Sequence, residues 1–202
     1  MNKKIIALIT IVILYFSQIS NANQLSNKPV AQIDNLIITE LDLKKEIIFI
    51  KFISKNELEN ITNEILKKEA LNNLIERKIK SIEILNLKAE ISEKESEFFF
   101  YNYLKDKKIN EELLKSFYKE NEIENDYLIK VIKIDAAWTK IIQQIYANRI
   151  NVNMTEINKD SNQNNKNITT EQLINVEKNI LLNKFATIHL EKVKKKYLIK
   201  IL

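Results

Sequence analysis

The chain reads as mostly α-helical, with a small β-sheet built from an N-terminal hairpin and a strand close to the last residue. Three observations predict this. Apolar residues recur at spacings of three and four, most clearly over Ile61, Ile65, Leu66, Leu71, Leu74, Ile75, Ile79, Ile82 and Leu85. The one proline is Pro29 and glycine is absent, so no helix breaker occurs from Val30 onward. Ser or Thr followed three residues later by an acidic residue or Gln recurs ahead of apolar-periodic stretches, as a capping box requires.

The elements follow in order. Val30–Ile33 and Leu36–Ile38 are short apolar runs joined by Asp34-Asn35, a pair that tolerates positive φ and suits a two-residue hairpin turn. Thr39 with Asp42 caps a first helix to about Ile53. Ser54 with Glu57 opens the long periodic helix, and Ser92 with Glu95 opens another to about Lys107. Asn110 caps a shorter helix to about Glu120, with Asn121 as its left-handed stop, and a long helix runs from about Asn125 to Arg149. Residues 151–168 are dominated by Asn and read as a flexible linker. Thr169 with Gln172 caps a last helix to about Val193, and Tyr197–Leu202 reads as a strand. A lone strand leaves backbone groups unpaired, so it should pair with the 30–38 hairpin and bring the two ends of the fold together.

Residues 1–22 carry the pattern of a secretory signal. Lys3 and Lys4 precede an uncharged 12-residue stretch from Ile5 to Phe16, and Ser20-Asn21-Ala22 places small residues for cleavage after Ala22. The rival reading is an uncleaved anchor, but 12 residues span about 18 Å as a helix, short of a hydrocarbon core of about 30 Å. The expected organisation is a signal peptide over 1–22, one discontinuous core domain over 23–150 plus 169–202, and the linker between its parts. Cysteine is absent, which excludes a disulfide framework or a lipidated N-terminal Cys and suits a bacterial periplasm at least as well as an animal secretory route. The net charge of +5 falls to +3 once Lys3 and Lys4 are removed, and 27 acidic residues are interspersed with the bases. Neither a basic face nor a basic-aromatic stripe offers itself to nucleic acid. With no glycine, Asn is expected at the left-handed turn positions.

Catalytic inventory is sparse. His189, the one histidine, lies between Ile188 and Leu190 and reads as structural or surface. Without glycine there is no phosphate-binding loop, and no metal or cofactor is expected. Lys192 and Lys194–Lys196 sit at a helix end, complementing its macrodipole or, on a sharper reading, meeting an anionic membrane surface. The apolar excess is more telling. Phe98, Phe99, Phe100 and Tyr101 fan over about 300° of one helix, so they cannot all face one core. With Tyr103, Phe117 and Tyr118 they form the candidate apolar binding surface. Ile47, Ile48, Phe49, Ile50, Phe52 and Ile53 make the first helix apolar all round, which fits a central position.

The stretch Val30-Ala-Gln-Ile-Asp-Asn-Leu-Ile-Ile-Thr-Glu-Leu-Asp-Leu resembles the strand, turn, strand and acidic helix start of SurA-like periplasmic chaperones. Leu71-Asn-Asn-Leu-Ile-Glu-Arg-Lys-Ile, Ile91-Ser-Glu-Lys-Glu, Asn148-Arg-Ile and His189–Leu202 are similar to later passages of that family, in the same order. The resemblance implies a multi-helix chaperone core like that of SurA and trigger factor, closed by the small sheet. It further implies a periplasmic, ATP-independent chaperone with unfolded outer-membrane β-barrel proteins as clients and the outer-membrane assembly machinery as a further partner. The client would lie in an apolar cleft between the helical lobes and the sheet. Relatives commonly carry parvulin prolyl-isomerase domains between these parts; Met154-Thr-Glu-Ile resembles the lead-in to one, but only about a dozen polar residues follow before Thr169. No isomerase activity is therefore expected. The alternative is an exported helical structural or assembly subunit that binds one fixed partner or itself.

Overall fold

A computed structural model of the chain describes residues 27–54, 61–150, 152 and 169–202. The described residues form a mostly helical protein with a small three-stranded antiparallel sheet made by an N-terminal hairpin and a C-terminal strand. In chain order the elements are β1 (Pro29–Ile33), β2 (Leu36–Thr39), α1 (Glu40–Ser54), α2 (Asn63–Leu87), α3 (Glu93–Asp106), α4 (Glu111–Asn121), α5 (Tyr127–Tyr146), a 3-10 turn (Ala147–Arg149), α6 (Thr170–Lys194) and β3 (Ile199–Ile201). The proposed signal segment and, apart from Val152, the 151–168 linker lie outside the described residues. No described helix is long and apolar enough to cross a membrane.

Strand order is β2-β1-β3, so the two ends of the fold meet in one sheet as the unpaired strand at 197–202 required. Ile33 pairs with Leu36 on one side and Ile199 on the other, while Ala31 pairs with Ile38 and Ile201. Ala31, Ile33 and Ile38 are fully buried on the sheet's inner face. Asp34 joins the turn to the third strand. It holds φ at 48°, its N–H donates to the Leu198 carbonyl at 3.0 Å, and its carboxylate accepts from the Leu198 N–H at 2.9 Å.

The caps at Thr39, Ser92, Asn110 and Thr169 form where their sequence pattern places them. The start of α2 does not. Ser54 is the last residue of α1, Glu57 lies outside the described residues, and α2 opens eight residues later with Thr62 as its cap. Thr62 Oγ1 accepts from the Ile65 N–H at 3.3 Å. Ile61 and Leu66, on either side of that cap, both pack into the core, as a hydrophobic staple does. Burial therefore selected the later start.

The left-handed positions also differ from expectation. Among the described residues they are Asp34, Lys88, Lys108 and Glu122; Asn121 stays within α4. The last three share one design. Each follows a helix and precedes an apolar residue whose N–H returns to the carbonyl five residues back: Ala89 to Ile84, Ile109 to Leu104, Ile123 to Tyr118. Those apolar residues are buried.

Two apolar clusters make up the core. One joins the sheet to α2, α5 and α6 through Ile33, Ile79, Ile141, Ile142 and Val193. The other joins α3, α4 and the start of α5 through Leu104, Leu114, Phe117, Tyr118 and Leu128. Helix α1 serves both: Leu43 and Ile50 enter the first cluster, and Phe49 enters the second with Ile48, Phe52 and Ile53 beside it. That explains a helix apolar on every side.

Candidate functional site

Helices α2 and α3 both pack against α5. Between them runs an open cleft of about 800 Å³, floored by α5 and reached at one end by Glu46, Phe49, Ile50 and Ile53 of α1. No sheet residue lines it, so the cleft lies among helices rather than between the helical lobes and the sheet. Its α5 floor extends from Leu128 to Gln143, about 22 Å along the helix axis.

The seven candidate aromatics separate into three groups. Phe99 and Tyr103, one turn apart on α3, face the cleft. Phe98 and Tyr101 are exposed at 63% and 55%, outside it. Phe100 is half-buried against the second core cluster, and Phe117 and Tyr118 are buried inside that cluster. Phe117 stacks on Phe52 with ring centroids 3.9 Å apart. The Tyr118 hydroxyl accepts from the Leu128 N–H at 3.1 Å, satisfying an amide in the first turn of α5, where the side chain of Asp126 makes no capping bond. Phe117 and Tyr118 are thus structural, and only Phe99 and Tyr103 of the seven reach the cleft. Sequence spacing could place Phe98 through Tyr101 around a helix; it could not say which side α5 would cover.

The closed end of the cleft is built on an ion pair that the sequence reading missed. Glu46 on α1 is 1% exposed and receives Arg77 of α2 through two bonds, Nη1 to Oε2 and Nη2 to Oε1, each 2.9 Å. The Tyr127 hydroxyl donates to Glu46 Oε2 and accepts from Arg77 Nη1 at 3.1 Å. The Arg77 guanidinium also lies 5.8 Å from the centre of the Tyr127 ring. Burial alone would lower the Arg77 pKa, but the bonds and charge of Glu46 outweigh it and hold the guanidinium firmly protonated. Burial, reinforced by the Glu46 carboxylate, pushes the Tyr127 phenol well above its ordinary range. A signal existed: arginine stands at only two positions, Arg77 and Arg149, among 32 basic residues. A chain that otherwise uses Lys retains Arg where a bidentate carboxylate partner needs its planar fork.

Along the walls, Lys80 of α2 pairs with Asp135 of α5 at 2.8 Å; outside the cleft, Lys133 holds Glu93 at the start of α3 at 2.8 Å. Burial, then the nearby Asp135, raises the Tyr103 phenol, so it stays a hydrogen-bond donor at neutral pH. Apolar Ile53, Phe99, Val131 and Ile132 share the cleft with the amides of Asn73, Asn102 and Gln143. Such a surface can bury apolar side chains and hydrogen-bond to polar groups. Among the described residues no group of three or more His, Asp and Glu side chains is placed to hold a metal ion.

His189 is structural. Its Nδ1 lies 3.1 Å from the Tyr146 hydroxyl and its ring is 5.4 Å from that of Trp138. Burial, together with the charges of Lys196 and Lys192, pulls its pKa below 6.5 against the opposing pull of Glu83. The basic cluster is partly spent within the protein. Lys194 bonds Glu76 and Glu191 at 2.8 Å each, and Lys196 lies 3.1 Å from Glu83. Those partners weigh against a membrane-facing role for these two lysines.

A scan against protein-family models finds no match, and a search of curated proteins finds no match either.

Proposed function

We propose that this chain is an exported, ATP-independent chaperone core of the SurA-like type, which holds unfolded outer-membrane β-barrel precursors in the cleft between α2 and α3. One observation carries the reading: Phe99, 43% exposed, and Tyr103 stand in an open cleft of about 800 Å³ beside Ile53 and Val131. Apolar surface kept open and backed by a rigid floor is what a binder of unfolded chains needs. Reversible burial of client side chains there lowers the free concentration of aggregation-prone chains without any covalent step. Barrel precursors alternate apolar and polar residues and are rich in aromatics, which suits a surface of mixed character. The signal-like residues 1–22 support a periplasmic location for this activity, and the outer-membrane assembly machinery would be the receiving partner.

The test is light scattering from an unfolded porin diluted out of denaturant, without nucleotide. Protein lacking residues 1–22 is expected to suppress aggregation near one-to-one, and Phe99→Ser with Tyr103→Ser to lose most of that effect. Absence of suppression at several-fold excess overturns the proposal. The exposed Val176 and Ile180 on α6 favour the second reading, a subunit that binds one fixed partner or itself. A tight homodimer that buries them, in a protein inactive against porin, would establish it.

A further inference from the structure

The two edges of the sheet are not alike. On β2 the edge ends at Thr39, whose N–H is taken by Asp42 Oδ2 at 2.9 Å where α1 begins. On β3 it is open. The Leu198 C=O accepts from the Asp34 N–H and the Leu202 N–H donates to the Val30 C=O, each at 3.0 Å, and Lys200 stands opposite Gln32 between them. In an antiparallel ladder, residues that bond to one neighbour alternate with residues whose N–H and C=O both point to the other side. Ile199 and Ile201 therefore turn their backbone groups outward, and no described residue bonds to them there. Leu198, Lys200, Ile201 and Leu202 are all exposed, so no described element covers this edge.

The side chains are unfinished in the same direction. On the inner face one cross-strand row runs Ile38, Ala31, Ile201; the first two are fully buried and Ile201 is 63% exposed. The neighbouring row, Leu36, Ile33, Ile199, ends at the same edge. Apolar residues on a fourth strand would continue both rows. On the outer face Lys200 stands between Leu198 and Leu202. Lys194 and Lys196 are paired with Glu76 and Glu83, whereas Lys200 pairs with no carboxylate among the described residues. A residue added opposite Lys200 would form a non-bonded pair, the kind with the closest side chains, so an acid is favoured there and a base disfavoured. This weighs against a second copy of β3. The one antiparallel register in which both copies use Ile199 and Ile201 sets Lys200 against Lys200.

We infer that the β3 edge binds an extended strand of another polypeptide, antiparallel, with apolar residues beside Ile199 and Ile201 and an acidic residue opposite Lys200. A helix cannot serve, because its own N–H and C=O groups are spent within it. The edge shares no residue with the cleft between α2 and α3, so the inference stands apart from the role proposed above.

The probe is the peptide Ser-Thr-Val-Glu-Val-Thr-Ser, titrated into isotope-labelled protein and followed by amide NMR. At saturation the Ile199 and Ile201 amides should exchange with solvent at least about tenfold more slowly, while Lys200, already bonded within the sheet, changes little. N-methylation of both Val residues removes the bonds to Ile199 and Ile201 and should weaken binding about tenfold or more; N-methylation of Glu, whose N–H faces away, should change it less than about twofold. Lys in place of the peptide Glu should weaken binding about threefold or more, and Lys200→Glu should reverse that preference. Ile201→Pro removes an outward N–H without touching a ladder bond, so it should keep the fold and lose the peptide. Should that variant fail to fold, Lys200→Glu, at an exposed position, carries the test. No binding, sensitivity to methylation at Glu rather than at Val, or an unchanged charge preference in Lys200→Glu overturns the inference. So does a dimer in sedimentation that Ile201→Pro dissolves, because a second copy would then hold the edge.

Discussion

Lys88, Lys108 and Glu122 occupy the left-handed position after a helix, where glycine usually stands. For a residue with a Cβ that conformation costs about 1 kcal/mol, and the next residue offsets it, since burying an Ile side chain contributes about 1.5–3 kcal/mol. Ile109 and Ile123 are each 5% exposed. The two effects should separate by mutation. Lys108→Gly is expected to raise unfolding stability by about 0.5–1 kcal/mol, after the entropy that glycine gains in the unfolded chain. Ile109→Ala should lower it by about 2–5 kcal/mol. Urea unfolding followed through Trp138, the one tryptophan, measures both. A destabilising Lys108→Gly would mean that the lysine side chain itself holds the turn.

Between elements, the Glu46–Arg77–Tyr127 group fixes α1, α2 and α5 at one end of the cleft. A buried pair of this kind is sensitive to losing one member and tolerant of losing both. Arg77→Met leaves a carboxylate uncompensated at a fully buried position and should cost about 3–5 kcal/mol. Glu46→Leu combined with Arg77→Met should recover most of that loss, because two apolar side chains then fill the site. Denaturant midpoints of the single and double variants decide it. A double variant as unstable as the single would show that packing, rather than the stranded charge, sets the cost. The same pair also shows what sequence patterns omit. Glu46 looks like one more charge beside Lys44 and Lys45 at the start of α1, and only the meeting of α1 with α2 reveals it as the buried anchor.

Over the whole molecule, the segment after α6 fastens the fold. Glu83 of α2 is 7% exposed; it accepts from Tyr197 at 2.7 Å and pairs with Lys196, while Asp34 holds Leu198 and β3 pairs with β1. Burial and the Glu83 carboxylate push the Tyr197 phenol up to about 12, so this bond persists until strongly alkaline pH. Removing residues 197–202 takes away a hydrogen bond to a buried charge and one strand of the sheet. Stability should fall by at least about 2 kcal/mol, and because Trp138 contacts His189 on α6, its emission should report the loss in one cooperative transition. An unchanged midpoint would show that the sheet does not depend on β3.

The sequence by itself determined the helical class, the caps at Thr39, Ser92, Asn110 and Thr169, the turn at Asp34 and the closure of the sheet by the 197–202 segment. These are local or forced matters: side-chain oxygens near orphan amides, a pair that tolerates positive φ, and a strand that needs a partner. It also indicated, from their angular spread, that Phe98–Tyr101 cannot share one core. Only the tertiary structure decided which of them face the cleft, that Phe117 and Tyr118 are core, that α2 starts at Asn63, and that Glu46 meets Arg77. Each of those depends on which helix covers which face, and residue spacing along one helix carries no information about its neighbours.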